Sequence, residues 1–437
     1  MTASPSAGGG KSDSCCVPMQ GIGDSIKGGS ARPRGSKTIC IPCGPKRYAE
    51  LVKDDRRFRR YVDEVYARHP ELFPAAMSAG YWWHDIRAAS VKLGLRVRRI
   101  KLVATGQVYS VCPSSVMPYM VGYTADVAHA LFLQGFGVPY WALTHVFGRD
   151  DMYWYRLTVA FGRNSIVGTT VKCPEALPKD LLADEKHSRH GGEKVYVATT
   201  VGKDCVLGAA MCTAADSAAL TQGYGVFAEE VRNLAPHDQP ETVNTDGWGA
   251  TRLAWEALFP QIVIIQCFLH AFIKVRERCK KWGELFTEIS TAVWHAYHAP
   301  TKRAFSQRLR RLREWAQGRL EAGVVLDKLL GLCEKAPLFA QAYDHPTTHR
   351  TSNMVDRLMR WQDRFLFNRQ YFHRSWQAAE LGIRAWAILC NFRPYCPRAI
   401  GKRTDGECAA QRLNGFRYCD NWLENLRVST SMNGYRQ

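Results

Sequence analysis

The sequence predicts an α/β protein, and three neighbouring stretches carry that prediction. Ile262-Val263-Ile264-Ile265 is too apolar and too β-branched for anything but an interior strand. Ahead of it, Trp248, Thr251, Trp255, Leu258 and Phe259 recur at helical spacing, and Pro260 closes the helix. Ahead of that, a short strand at Thr242-Val243 runs into Asp246-Gly247, which stops it. A carboxylate at the C-terminal tip of a parallel strand is where α/β sheets keep their chemistry, so the partners of Asp246 decide what the protein does.

Composition sets the limits. At 437 residues the chain is long enough for two or three domains and a sizeable core, and 46% hydrophobic residues with 13 Trp fit packed globular structure. A formal net charge of +19 favours an anionic polymer as partner. No apolar run reaches the roughly 18 residues of a membrane span, and the N-terminus lacks the apolar core of a signal peptide. A cytoplasmic setting without membrane contact is therefore expected, in which the 15 Cys are reduced thiols and not a disulfide framework.

Residues 1–38 are rich in Gly, Ser, Lys and Arg and are expected to be a disordered basic N-terminus. Cys15-Cys16 with Cys40-Ile41-Pro42-Cys43 supplies either four thiolates for zinc or four unligated thiols. Residues 39–172 read as a mainly helical DNA-binding region. From 45 to 90 apolar residues fall at three- and four-residue steps (Tyr48, Leu51, Val52, then Phe58, Tyr61, Val62, Val65). Between 95 and 111 a hairpin is expected, with Arg96 and Arg98 on a face that is either solvated or turned to phosphates. Residues 125–136, 140–147 and 151–161 form helices broken at Gly137-Val138-Pro139 and Gly148, a possible helix-turn-helix whose Arg149, Arg156 and Arg163 would meet phosphates.

The next domain begins near 173. Leu181-Leu182-Ala183-Asp184 reads as a short strand ending in an acid, followed by strands at 194–201 and 205–211 after turns at Gly191-Gly192 and Gly202. A helix over 217–234 leads to the strand that ends at Asp246. The order β-β-β-α-β-α-β is that of an RNase H-like fold, whose acids come from the first strand, the end of the fourth and a later helix. The core then spans 173–270 and resumes at 351–395, interrupted by a helical insertion over 271–350 and followed by a tail over 396–437. Arg308 and Arg311 belong to a basic cluster in the insertion, either a solvated helix face or a DNA-facing one.

Asp184 and Asp246 stand 62 positions apart (246 − 184), each at a strand end of the same expected sheet. Two such carboxylates side by side repel unless a cation lies between them, and Mg²⁺ suits oxygen ligands of this kind. A pair of ions about 4 Å apart would activate a nucleophile and stabilise the leaving oxygen of an in-line displacement. The plainer reading has Asp246 capping its helix and Asp184 opening a loop. The third acid is expected at Asp356, on a helix whose inner stripe is Val355, Leu358, Met359 and Gln362; Asp356 lies about 100° from Val355. Its plainer role is a first-turn acid behind an Asn353 cap, or a partner of Arg360. Glu380 is the fallback. Cys267-x-x-His270 is half a zinc pattern or plain core.

Asp184 with its following strands, Thr245-Asp246-Gly247 with Leu258-Phe259-Pro260, Gln266-Cys267-Phe268-Leu269-His270 and Thr351-Ser352-Asn353 together resemble the Mutator-like group of DDE transposases, which includes many bacterial insertion-sequence transposases. The likeness covers about 175–395; before 170 it extends only to a helical, DNA-binding role. In that family a Phe-Pro and then a Cys-x-x-His follow the second acid, as here, and a separation of 110 positions (356 − 246) to the third acid is of the family's kind. The family's third acid is usually Glu; Asp356 is one methylene shorter, so metal geometry adjusts or Glu380 takes over. The resemblance implies DNA cleavage and strand transfer with Mg²⁺ or Mn²⁺ on Asp184, Asp246 and Asp356. It also implies terminal inverted repeats and target DNA as partners, a homo-oligomer in the synaptic complex, and a nucleoid-associated location. Cys267 and His270 are then site-associated residues and not metal ligands. The alternatives are a catalytically inactive DNA-binding derivative, or an RNase H-fold nuclease without strand transfer.

Overall fold

The computed structural model describes residues 35–279, 281–400 and 406–435, so Cys15, Cys16 and nearly all of the expected disordered N-terminus lie outside the described residues. Within them the protein is a mixed α/β fold with two mixed sheets.

The first sheet is built from β1 (Thr38–Ile41), β2 (Tyr81–Ser90), β3 (Leu95–Leu102) and β4 (Val108–Pro113), in the order β1-β4-β3-β2. Two helices, α1 (Pro45–Leu51) and α2 (Asp55–Arg68), accompany it. Asp54 starts α2 by accepting from the backbone of Arg56 and Arg57, each at 3.0 Å. Phe58, Tyr61, Val62 and Val65 are its buried stripe, as the spacing predicts. Helices still predominate over 39–172, but this four-stranded sheet goes beyond the expected hairpin, and the helical reading of 45–90 fails over 81–90. There the chain pairs antiparallel with β3, from Tyr81 opposite Leu102 to Ser90 opposite Leu95. Trp83 packs edge-on against Phe58 and Tyr81, a tertiary gain that favours the strand over the helix extrapolated from 48–65. The 95–111 hairpin is present as β3 and β4. Its cationic face is only half formed: Arg96 is exposed, but Arg98 is 3% exposed and donates to the Val52 carbonyl at 2.8 Å and to Asp55 at 2.5 Å, while Arg99 is bonded to Asp85.

Helices α3 (Thr124–Gln134), α4 (Tyr140–Phe147) and α5 (Asp151–Val159) follow, with breaks where the sequence predicts them. After α6 (Ile166–Thr170) comes the second sheet, made of β5 (Asp180–His190), β6 (Glu193–Gly202), β7 (Cys205–Cys212), β8 (Thr242–Thr245) and β9 (Val263–Gln266). Its order is β7-β6-β5-β8-β9, antiparallel through β5, β6 and β7 and parallel through β5, β8 and β9. Two expectations are corrected here. Strand β5 does not end at Asp184 but runs six residues further, because the β5–β6 pairing continues to His190 opposite Glu193. Strand β9 is not interior by pairing: it is the last strand of the sheet, and Val263 and Ile264 are only half-buried.

Alternation along β5 divides the core. Leu181 and Ala183 face α7 (Ser217–Leu234) and α8 (Gly249–Leu258), among Tyr224, Phe227 and Trp255. The helical insertion then runs through α9 (Phe268–Cys279), α10 (Glu284–Tyr297), α11 (Lys302–Arg319), α12 (Val324–Glu334) and α13 (Ala336–Ala340), packing its own apolar cluster around Phe268, Val293 and Phe305. On the other side of the sheet Leu182 packs toward α14 (Asn353–Asn368) and α15 (Trp376–Phe392). The expected tail helix is present as Trp422–Ser429, with Leu423 and Leu426 fully buried. Among the described residues no helix is long and apolar enough to cross a membrane.

Candidate active site

The parallel half of the second sheet sets the site. Thr242 lies opposite Asp180, an offset of 62 (242 − 180), and the same offset carried past the end of β8 puts Asp246 opposite Asp184. Thr245 lies opposite Gln266, so the next place along each strand brings Asp246 to Cys267, whose N–H donates to the Thr245 carbonyl at 2.7 Å. Asp184, Asp246 and Cys267 thus lie along one line across three adjacent strands.

Asp246 leaves its strand through Gly247, which adopts φ +89; a Cβ there would meet the Gln266 side chain at 2.4 Å, so only glycine fits. The Asp246 carboxylate accepts from the Trp248 N–H at 2.8 Å. That bond closes the turn ahead of α8, whose first flanking residue is Trp248; the reading of Asp246 as the helix cap is corrected accordingly.

Helix α14 lies against β5 and β6, pinned by Lys186 to Asp363 at 2.6 Å and by Gln362 donating to Thr199 at 3.2 Å. Val355, Leu358, Met359 and Gln362 are buried, as the periodicity predicts, and Asp356 is half-buried at the stripe's edge. The residue flanking the helix start is Ser352, not Asn353, and its hydroxyl donates to Asp356 Oδ2 at 2.8 Å in place of capping the backbone. No ion pair joins Asp356 to Arg360 among the described residues.

Electrostatics tie the three acids together. Burial pushes the Asp184 carboxyl up to about 6; the Glu185 N–H opposes this, while Asp246 and Asp356 raise it further and His270 lowers it. Glu185, on the opposite face of β5, is pushed by burial up to about 7 although Tyr224 and Thr251 each donate to it at 2.7 Å. Sequence reading missed Glu185; its signal was the Asp-Glu doublet itself, since adjacent residues of a strand serve opposite faces.

Cys267 and His270 form a hydrogen-bonded pair. The Cys267 contact raises His270 to about 9 against the effect of burial, with Asp184 and Asp356 adding to the rise. Burial opposes the Cys267 thiolate, yet bonds from His270 and Ser352 outweigh it and hold the thiol below its usual value. Ser352 joins this pair to the acids: its N–H donates to Cys267 Sγ at 3.3 Å, and its Oγ lies 3.5 Å from His270 Nδ1. In the sequence Ser352 stands out only as part of Thr351-Ser352-Asn353, and its bonds to Asp356 and Cys267 are seen only in the fold.

The carboxylate chemistry of Asp184 and Asp246 suits a hard divalent cation, and Asp184 is raised mainly by its burial, with Asp246 and Asp356 adding to the rise against the opposing charge of His270. As the side chains stand, no group of three or more His, Cys, Asp and Glu forms a ready metal cage among the described residues. The same holds at Cys40 and Cys43, which are buried free thiols, Cys43 raised by burial to about 11.

The remaining candidates lie apart from this centre. Glu380, on α15, is raised by burial and has Arg384 as its charged neighbour; it is not among the charges that act on Asp184. Arg149 sits between α4 and α5 with φ 66, 5.6 Å from the Tyr153 ring, and Arg156 is exposed on α5. Arg163 stacks on Tyr119 at 5.1 Å. On α11, Arg311 is exposed, whereas Arg308 donates to the His295 carbonyl at 2.6 Å. Compared with known proteins, the chain matches no family model and no curated protein.

Proposed function

We propose that the protein is a DNA transposase of the DDE kind, similar to the Mutator-like group, with an RNase H-like catalytic sheet. The fold reading is supported by the strand order, third-second-first-fourth-fifth, with the fourth and fifth strands parallel to the first. The observation that carries the activity is that the register of β5 and β8 sets Asp246 opposite Asp184, while Asp356 on α14 is tied through the Ser352 hydroxyl to His270 beside them.

Mg²⁺ or Mn²⁺ would be held by Asp184 and Asp246, with Asp356 as the third carboxylate. Bound there, the ion would neutralise the clustered charge, activate water or a 3′-hydroxyl and stabilise the leaving oxygen. The chain's own residues do the positioning. Strand register sets Asp246 beside Asp184 and Gly247 turns the chain away after it, Ser352 holds one Asp356 oxygen, and protonated His270 offsets the acids' charge. Duplex DNA, both the element's inverted repeats and its target, is the partner that the +19 charge favours. A homo-oligomeric synaptic complex and a cytoplasmic, nucleoid-associated location belong to the same reading.

Incubation of the purified protein with its element ends and Mn²⁺ should yield nicked and joined 3′-ends, and Asp246→Asn should abolish both. Joined product from Asp246→Asn at the wild-type rate would remove the assigned site; nicks without joining would reduce the reading to a nuclease. A second reading, a DNA-binding derivative that does not cut, draws on the short Asp356 side chain already engaged by Ser352. It predicts DNA binding indifferent to divalent metal and no cleavage.

A further inference from the structure

A cavity of about 370 Å³ lies between the α3–α5 helices and the ends of α14 and α15. It belongs to the range of about 300–1,000 Å³ typical of small-molecule sites. Its floor is apolar, from Ala379, Gly382, Trp386 and Leu389 on one stripe of α15, with Tyr140 and Tyr155 on the facing side. Its rim carries four guanidinium groups, Arg364, Arg369, Arg374 and Arg393.

None of the four forms an ion pair with a carboxylate among the described residues. Aromatic rings hold them in place: Arg369 lies 4.1 Å from the Phe365 ring centre, Arg374 4.2 Å from Tyr155, Arg393 4.2 Å from Phe136 and Arg364 4.7 Å from Trp361. The one lining acid, Asp151, accepts from Thr144 at 2.6 Å. A guanidinium has five N–H donors, and these four use few of them: Arg369 donates to the Tyr140 hydroxyl at 2.5 Å, Arg393 to the Gly135 carbonyl and Arg374 to Met152 Sδ at 3.4 Å. Beside the cavity, Gln370 and Tyr371 both take left-handed backbone angles, a strained pair of the sort that collects at ligand clamps.

An apolar floor edged by unneutralised arginines fits a ligand with a flat aromatic body and an anionic end. We propose that this cavity takes one nucleoside monophosphate unit, its base against the α15 floor and its phosphate at the arginine rim. The proposal draws on the DNA reading for its ligand class, but it does not depend on strand transfer. The same chemistry has two sources, a free nucleotide or an unstacked nucleotide of a strand.

The test is calorimetric titration of the full-length protein with dAMP, deoxyribose 5-phosphate and inorganic phosphate. dAMP should bind at least tenfold more tightly than phosphate. Arg374→Gln, on an exposed side chain, should weaken dAMP at least tenfold. Gly382→Leu should remove binding by filling the floor; a Cβ there meets only the Arg369 side chain, at 3.7 Å. Equal binding of phosphate and dAMP, or unchanged dAMP binding in both variants, overturns the proposal. Displacement of dAMP by a single-stranded oligonucleotide identifies the strand as the source, and dAMP binding without displacement identifies free nucleotide. Absence of strand transfer by wild-type protein that binds dAMP would count against the transposase reading alone.

Discussion

The N-terminal sheet draws Arg98 inward and meets it with Asp55, and sets Arg99 against Asp85; the five-stranded sheet instead gathers Asp184, Asp246 and Asp356. Opposite charges that cancel are what a fold needs when it turns a polar strand inward. Like charges brought together weaken a fold, and they persist where an external cation is to complete them. The five-stranded region also cancels charge where only stability is concerned: Arg384 reaches Glu230 at 2.5 Å, both nearly inaccessible. The ion pairs of Arg98 and Arg384 thus serve the fold, whereas the clustered acids have the like charge that a proposed cation site would carry.

That contrast is breakable at four points, taken from the largest expected effect to the smallest. Asp246→Asn should cut the single-turnover DNA cleavage rate by roughly 10³-fold, the equivalent of losing several kcal/mol of metal-assisted stabilisation. It should leave the melting temperature unchanged or higher, since it removes a charge that raises Asp184. Arg384→Ala is the converse case. It strands Glu230 in the interior and should cost about 3 kcal/mol in denaturant unfolding; a loss below 1 kcal/mol would mean the pair is not the structural counterpart of the acid cluster.

The third point is pH. The folded-state pKa of Asp184 lies near 6, above the ordinary 3.8, so the native state binds the proton more tightly than the unfolded chain. In the absence of metal, stability should therefore fall as pH rises from about 4 to about 6, by on the order of 2 kcal/mol, and stay reduced above that. The difference between wild type and Asp184→Asn, measured by denaturant unfolding across that window, isolates this contribution; no difference would mean that Asp184 is relieved by some other group. Last, Ser352→Ala frees one Asp356 oxygen and unlinks it from His270, while the backbone N–H at 352 still donates to Cys267. It should lower the cleavage rate by roughly 10- to 100-fold while raising the Mn²⁺ concentration needed for half-maximal rate. A purely structural serine would shift stability without moving that concentration.

Much of this was legible in the chain. The separation of 62 between Asp184 and Asp246 equals the register offset of their strands, and the helix over 217–234 has the bounds its periodicity predicts. In the N-terminal sheet the 95–111 hairpin was legible but β2 was not, because its pairing with β3 and the packing of Trp83 on Phe58 are long-range gains that no local pattern announces. Arg98 hid in an apparent alternation that the packing breaks, burying Val97 and Arg98 side by side. At the site the acids were visible, but the linkage through Ser352 was not, since hydroxyl donation from a helix start to a first-turn acid leaves no periodic trace.

Mn²⁺ binding followed by electron paramagnetic resonance tests the central claim most directly, in wild type, Asp184→Asn and Asp246→Asn at pH values on either side of 6. The account predicts that wild type binds Mn²⁺ with affinity rising through pH 6 and that either substitution weakens it at least tenfold, since a carboxylate ligand is lost. Equal Mn²⁺ affinity in all three proteins would contradict it.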